Sequence, residues 1–302
     1  MHAYDGGMAK GRLLFVHAHP DDEIIGSGIA MGKYVRAGHQ VTLVTCTLGE
    51  EGEVVVPELA NLDSAHDDQL GAHRQGELAK AMQILGITDH RQLGEPGRYR
   101  DSGMMGTGQN AREDSFWQAD LTKAATDMAA VIREVRPHVL VTYDEFGGYG
   151  HPDHIQAHRA AMYGAVLAAA PSYKPELGEA WDVPKIYWTA FPVSNVERTR
   201  KVLAERGIDF FSNDEAEGGR PWACPDEFVT TSITDLGLEP TKVEALLAHE
   251  TQIAKDAPFL MISQMVGPEG LGTEHFRLVR GQVGVTSGEF NREDDFLSGL
   301  DL

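Results

Sequence analysis

Two short runs concentrate the residue types that hold metals and move protons. The first is His17-Ala18-His19-Pro20-Asp21-Asp22-Glu23, and the second, far downstream, is His151-Pro152-Asp153-His154. His19 and Asp22 have a spacing that can turn both side chains onto one ion where a helix begins. Asp21, between them, points elsewhere and is free to act as a base. A helix cap accounts for a single aspartate at such a place. Two aspartates, a glutamate and two histidines strain that account, because clustered like charges repel. In the second run, His151 and His154 share an i, i+3 spacing with Asp153 between them.

Neutral imidazole nitrogens and carboxylate oxygens suit Zn²⁺, and a catalytic zinc usually takes three protein ligands and one water. His19, Asp22 and His154 supply that count, leaving Asp21, His151 and Asp153 for proton work; Fe²⁺ could occupy the same donors. Such an ion lowers the pKa of water from ~15.7 to ~7 and polarises a carbonyl. That suits amide hydrolysis, and no serine or cysteine nucleophile is needed.

The elements that position these runs are legible as alternating strands and helices. Strands are expected at 12–18, 40–46, 90–93, 138–143, 185–191, 228–233 and 275–280. Helices are expected at 22–37, 66–85, 120–135, 152–170, 194–206 and 240–249. Both runs follow a strand and open a helix, and parallel strands would bring their ends to one edge of a sheet, where α/β sites form. The alternation predicts a Rossmann-like α/β fold with a mostly parallel, doubly wound sheet. One domain over 1–302 is expected, with a motif-bearing core at about 11–192 and an elaborated C-terminal third at about 193–302. Residues 47–62 and 94–108 read as long loops, a length that is often functional. The glycines at 26, 28 and 32 imitate a dinucleotide fingerprint, but the third comes one residue late and the run starts inside the expected helix.

Composition narrows the class. The 302 residues are 42% hydrophobic and 24% charged, enough for a substantial core. A net charge of −20 repels phosphate backbones and anionic lipid, so nucleic acid and membrane are poor partners. Cys46 and Cys224 make no disulfide framework. Residues 1–12 lack the apolar core of a signal peptide, and no apolar run approaches a membrane span. The chain reads as cytoplasmic; its oligomeric state is left open.

His19-Pro20-Asp21-Asp22 followed by His151-Pro152-Asp153-His154 resembles the LmbE-like, or PIG-L, family of zinc N-deacetylases. The supporting runs are 13–23, 45–53, 97–104 and 143–154, and the likeness thins from Pro192 onward. It implies one Zn²⁺ per chain on His19, Asp22 and His154, with Asp21 as general base. It also implies His151, oriented by Asp153, as acid or electrostatic partner, and Tyr149 at the oxyanion. Glu53, Arg74, Asp101 and Met104 match the family's sugar and inositol contacts. The likeness is strongest to members that deacetylate a glucosaminyl-inositol in mycothiol biosynthesis, which implies an amidohydrolase with a small glycosyl-inositol substrate.

Four rivals remain at this point. A mycothiol S-conjugate amidase of the same family tends to carry a lysine just after the Asp-Asp-Glu run, where Ile24 to Ser27 stand here, and Gly150 also suits the deacetylases. Another sugar N-deacetylase of the family is a second alternative. A different class would be a nucleotide-binding oxidoreductase, which lacks its glycine spacing, or a non-catalytic zinc-stabilised binding protein, which has no need of Asp21 and His151 beside the ion.

Overall fold

Along β1 (Arg12–His17) the apolar side chains part to two sides: Leu13 and Phe15 enter one core, Leu14 and Val16 another, and all four are fully buried. The same alternation recurs in β2 (Gln40–Thr45) and β4 (Val139–Thr142), as expected for strands covered on both faces. The computed structural model describes residues 10–207, 223–255, 257, 260, 265, 267–287 and 291–302. The expectation of no leader at 1–12 therefore lies mostly outside the described residues.

Helices α1 (Asp22–Arg36) and α2 (Leu70–Leu85) contribute to the core that holds Leu13 and Phe15. Helix α3 (Leu121–Val135) contributes to the opposite core. So does a later helix that follows the one-turn α4 (Gly147–Gly150), namely α5 (Pro152–Ala169). The remaining strands are β3 (Asp89–Gln92), β5 (Lys185–Ala190), β6 (Thr231–Thr234), β7 (Thr273–Arg280), β8 (Thr286–Ser287) and β9 (Arg292–Glu293). Among the described residues the sheet order is β3-β2-β1-β4-β5-β7-β6-β9-β8.

Strands β3, β2, β1, β4 and β5 are parallel, in register pairs such as Leu13 with Val41 and Val139. The expected mostly parallel sheet holds for this part and fails beyond it. Strand β7 runs antiparallel to both β5 and β6, and β8 antiparallel to β9, so the sheet is mixed. Apolar patterning at 275–280 reveals a strand but not its direction, which is set by distant pairing.

Local departures have local causes. Helix α2 begins at Leu70, not His66. The carboxylate of Asp63 accepts from the Ala65 N–H and meets the His66 ring at 2.6 Å, and Asp68 sits at φ 52°. These turn bonds compete with a helical start. Phe228 ends a single 3-10 turn, 226–228, so the expected strand starts only at Thr231. Helices α6 (Val193–Ala204) and α7 (Glu239–Leu247) fall within a few residues of expectation. No helix among the described residues is long and apolar enough to cross a membrane.

Candidate metal and active site

Chain order reverses around β1, which has β2 on one side and β4 on the other. Crevices at such switch points, outside the carboxyl ends of strands, are where α/β sheets bind ligands. Both motifs open there, the first after β1 and the second after β4. In the second, the His151 ring caps α5: its Nδ1 accepts the Asp153 N–H at 3.1 Å. In the first, Asp21 precedes α1 at φ 113°, a left-handed conformation that costs a non-glycine residue about 1–3 kcal/mol. Strain of that kind needs surroundings that hold it in place.

The structure brings the three expected ligands together. Asp22 Oδ2 lies 3.1 Å from His19 Nδ1 and 3.3 Å from His154 Nε2. Two donor atoms ~2.1 Å from a shared tetrahedral ion stand ~3.4 Å apart, so this spacing fits one cation. His154 Nδ1 bonds to the Gly147 carbonyl at 3.1 Å, which turns the other nitrogen, Nε2, toward the cluster. That Nε2 is buried and makes no hydrogen bond among the described residues, an orphaned atom that a cation would satisfy. His19, His151 and His154 also bring ring nitrogens within 4.8 Å of one another. Zinc-type chemistry suits this donor set.

Tyr143 escaped the sequence reading. Its hydroxyl donates to Asp22 Oδ2 at 2.8 Å and accepts the Ala18 N–H at 2.9 Å, while its ring stacks on His154 at 4.3 Å. Burial penalises the Asp22 carboxylate, yet the His154 and His19 rings outweigh it and hold its pKa well below the usual range. Burial likewise opposes a charge on His19, but Asp101, Asp153 and Asp22 hold that ring's pKa well above its usual value. A buried ring among three carboxylates is a socket built for positive charge.

Asp21 makes its side-chain contact on another element. Its Oδ2 meets Arg74 Nη2 at 3.0 Å, and burial pushes its pKa up to about 6 against the pull of that guanidinium. Arg74, expected to touch substrate, is itself buried and largely committed to protein. It donates to the Gly49 carbonyl at 2.8 Å and to the Pro20 carbonyl, so it fixes the loop that carries Asp21.

Asp153 departs from expectation. Its carboxylate does not orient His151; it meets His19 Nε2 at 3.2 Å, the Ser102 N–H at 2.8 Å and the Ser102 hydroxyl. Of Asp153, the backbone N–H is the group that bonds His151. Burial, then His19 and His154, lower the His151 pKa to about 3. Asp101 is deep in the same cluster, 3.6 Å from His19 Nε2, and lines the pocket that reaches it. Ser102 was missed because nothing in its spacing tells that the 94–108 loop folds back to the start of α5.

Glu53, Met104 and Tyr149 border a pocket of about 670 Å³ that reaches down to the histidines. Glu53, Met104 and Tyr149 are exposed, and the Tyr149 ring lies 5.0 Å from that of His154. The lining also includes Trp188, and Phe228 and Arg277 from beyond the region where motifs were legible.

Residues 14–164 match the PIG-L family, described as GlcNAc-PI de-N-acetylase. The chain is 54% identical over 291 residues to a 1D-myo-inositol 2-acetamido-2-deoxy-alpha-D-glucopyranoside deacetylase of Geodermatophilus obscurus, covering 96% of this chain and 98% of that one. A deacetylase of the same description from Kribbella flavida is 54% identical over 298 residues, with 96% and 98% covered. Among solved structures, N,N'-diacetylchitobiose deacetylase from Pyrococcus horikoshii shares the fold at TM-score 0.60 and 18% identity, over 89% of this chain and 84% of that one. With half its length matching the family and full-length relatives at this identity, the chain is a member of the PIG-L family.

Proposed function

We propose that the chain hydrolyses the acetamide of 1D-myo-inositol 2-acetamido-2-deoxy-α-D-glucopyranoside, releasing acetate and the free amine, as a cytoplasmic step of mycothiol biosynthesis. The observation that carries the chemistry is the Asp22 carboxylate set 3.1 Å and 3.3 Å from two imidazole nitrogens, one of them orphaned. The substrate follows from the relatives at 54% identity. We take residues 1–302 as one domain with a Rossmann-like core and an added C-terminal part. The net charge of −20 speaks against nucleic acid or anionic membrane as partners.

His19, Asp22 and His154 would hold one Zn²⁺, and Fe²⁺ suits the same donors. What the cation supplies when bound is Lewis-acid polarisation of the carbonyl and a lowered pKa for the attacking water. Asp21 takes the proton of that water, and its raised pKa of about 6 suits a base near neutral pH. His151 acts as a neutral ring: Nδ1 accepts a backbone N–H, so Nε2 carries the proton and can donate to the oxyanion. Tyr149 offers a second donor from the pocket mouth. Asp21 then returns its proton to the departing nitrogen as the C–N bond breaks. Asp153 positions His19, Arg74 and Asp101 order the floor of the site, and Glu53 and Met104 meet the sugar.

Zinc-loaded protein incubated with this acetamide and, separately, with a mycothiol S-conjugate tests the reading. Free amine released faster from the first is the expected result. Faster cleavage of the conjugate would reassign the chain to the amidases.

A further inference from the structure

The general base proposed above sits in a strained backbone, and the structure shows what holds it there. Glu23 Oε2 accepts the Asp21 N–H at 2.9 Å, and Glu23 Oε1 lies 3.1 Å from His249 Nε2. Both Glu23 and His249 are fully buried. His249 comes just after α7, from the C-terminal part, 226 positions from Glu23. Among the described residues its Nδ1 has no hydrogen-bond partner, and the bond to Glu23 is the ring's one polar tie there.

The segment around His249 is clamped to the same helix that grips Asp21 from the other side. Thr251 donates its N–H and hydroxyl to Glu77 at 2.8 and 2.9 Å, and Glu77 lies one turn along α2 from Arg74. Arg74 bonds the Asp21 carboxylate at 3.0 Å. Asp21 is thus tied at its N–H through Glu23 to His249, and at its carboxylate to Arg74. One helix braces both ties.

We propose that His249, acting through Glu23, is a positioning residue that keeps Asp21 in its left-handed conformation and so aims the base. The inference rests on Asp21 being the base. His249 touches neither the expected ligands nor the pocket wall, and that separates its effect from metal binding. Loss of the imidazole leaves Glu23 free to turn, the Asp21 N–H loses its fixed acceptor, and the carboxylate shifts. A displacement of about 1 Å at a catalytic group can cost ~10²-fold in rate.

The test is a double-mutant cycle on the zinc-loaded full chain, with kcat, KM and bound zinc measured for each protein. His249→Ala should lower kcat roughly 10- to 100-fold with KM and zinc content unchanged. His249→Gln, whose amide N–H can reach Glu23, should recover much of that loss. In an Asp21→Ala background, His249→Ala should cost nothing further, since its effect passes through Asp21. Equal losses in both backgrounds, or no recovery with Gln, would overturn the inference while leaving Asp21 as the base. An Asp21→Ala protein of full activity would instead overturn the base assignment, and the inference with it. Should His249→Ala fold poorly, Glu23→Gln carries the same cycle.

Discussion

The carboxylate of Asp153 lies 3.2 Å from His19 Nε2, while only its backbone N–H reaches His151. A carboxylate on the far nitrogen of a ligating histidine fixes the ring and raises its basicity, and removing one typically costs ~10- to 100-fold in metal affinity. Asp153→Asn should therefore weaken zinc binding by that factor. Competition with a chelator of known affinity measures it; unchanged affinity would return Asp153 to a role at His151.

The second expectation concerns Asp21 in metal-free protein. Burial places its pKa at about 6, with Arg74 pulling down. Removing the guanidinium, as in Arg74→Met, leaves burial less opposed, so the pKa rises and Asp21 stays neutral to higher pH. A bound cation acts in the reverse sense and extends the carboxylate form to lower pH. Carboxyl ¹³C shifts followed against pH in wild type and Arg74→Met read the direction.

Much of this site was legible because its residues sit at two strand ends in contiguous runs. His19, Asp21, Asp22, His151 and His154 needed only spacing and the strand-helix pattern around them. Asp153 was found but its partner was not, since a dihedral at a helix start decides which ring its carboxylate meets. Arg74 and Asp101 were seen as substrate contacts; both line the pocket, and both are also tied inside the protein. Tyr143, Ser102 and His249 act by long-range contact, and single-sequence patterns carry no such information. The same holds for β7, whose antiparallel insertion made the sheet mixed.

Gly147 gives a third expectation. It adopts φ +69°, and an added Cβ would stand 2.7 Å from both His154 Cβ and the Ile155 nitrogen. Neither can give way without moving the expected ligand. Gly147→Ala should lower stability by ~1–3 kcal/mol and weaken zinc binding as well. Thermal melts with and without zinc will show whether the stabilisation by metal shrinks, and an intact zinc-dependent shift would count against the link to His154.

Tyr143→Phe deletes the hydroxyl that bridges Asp22 and the Ala18 N–H. A buried N–H left without a partner costs about 1–3 kcal/mol. Stability should fall by that amount in denaturant titration, with zinc affinity reduced because Asp22 loses an orienting donor. A neutral effect on both would make the hydroxyl dispensable.

Bound zinc and turnover measured side by side in His154→Ala and Asp21→Ala test the central claim most directly. His154→Ala should lose tight zinc and activity together, because an orphaned nitrogen of the donor set is gone. Asp21→Ala should keep its zinc and lose ~10²- to 10⁴-fold in rate, the worth of general-base assistance. Full zinc occupancy in His154→Ala, or loss of zinc in Asp21→Ala, would contradict the assignment of ligand and base.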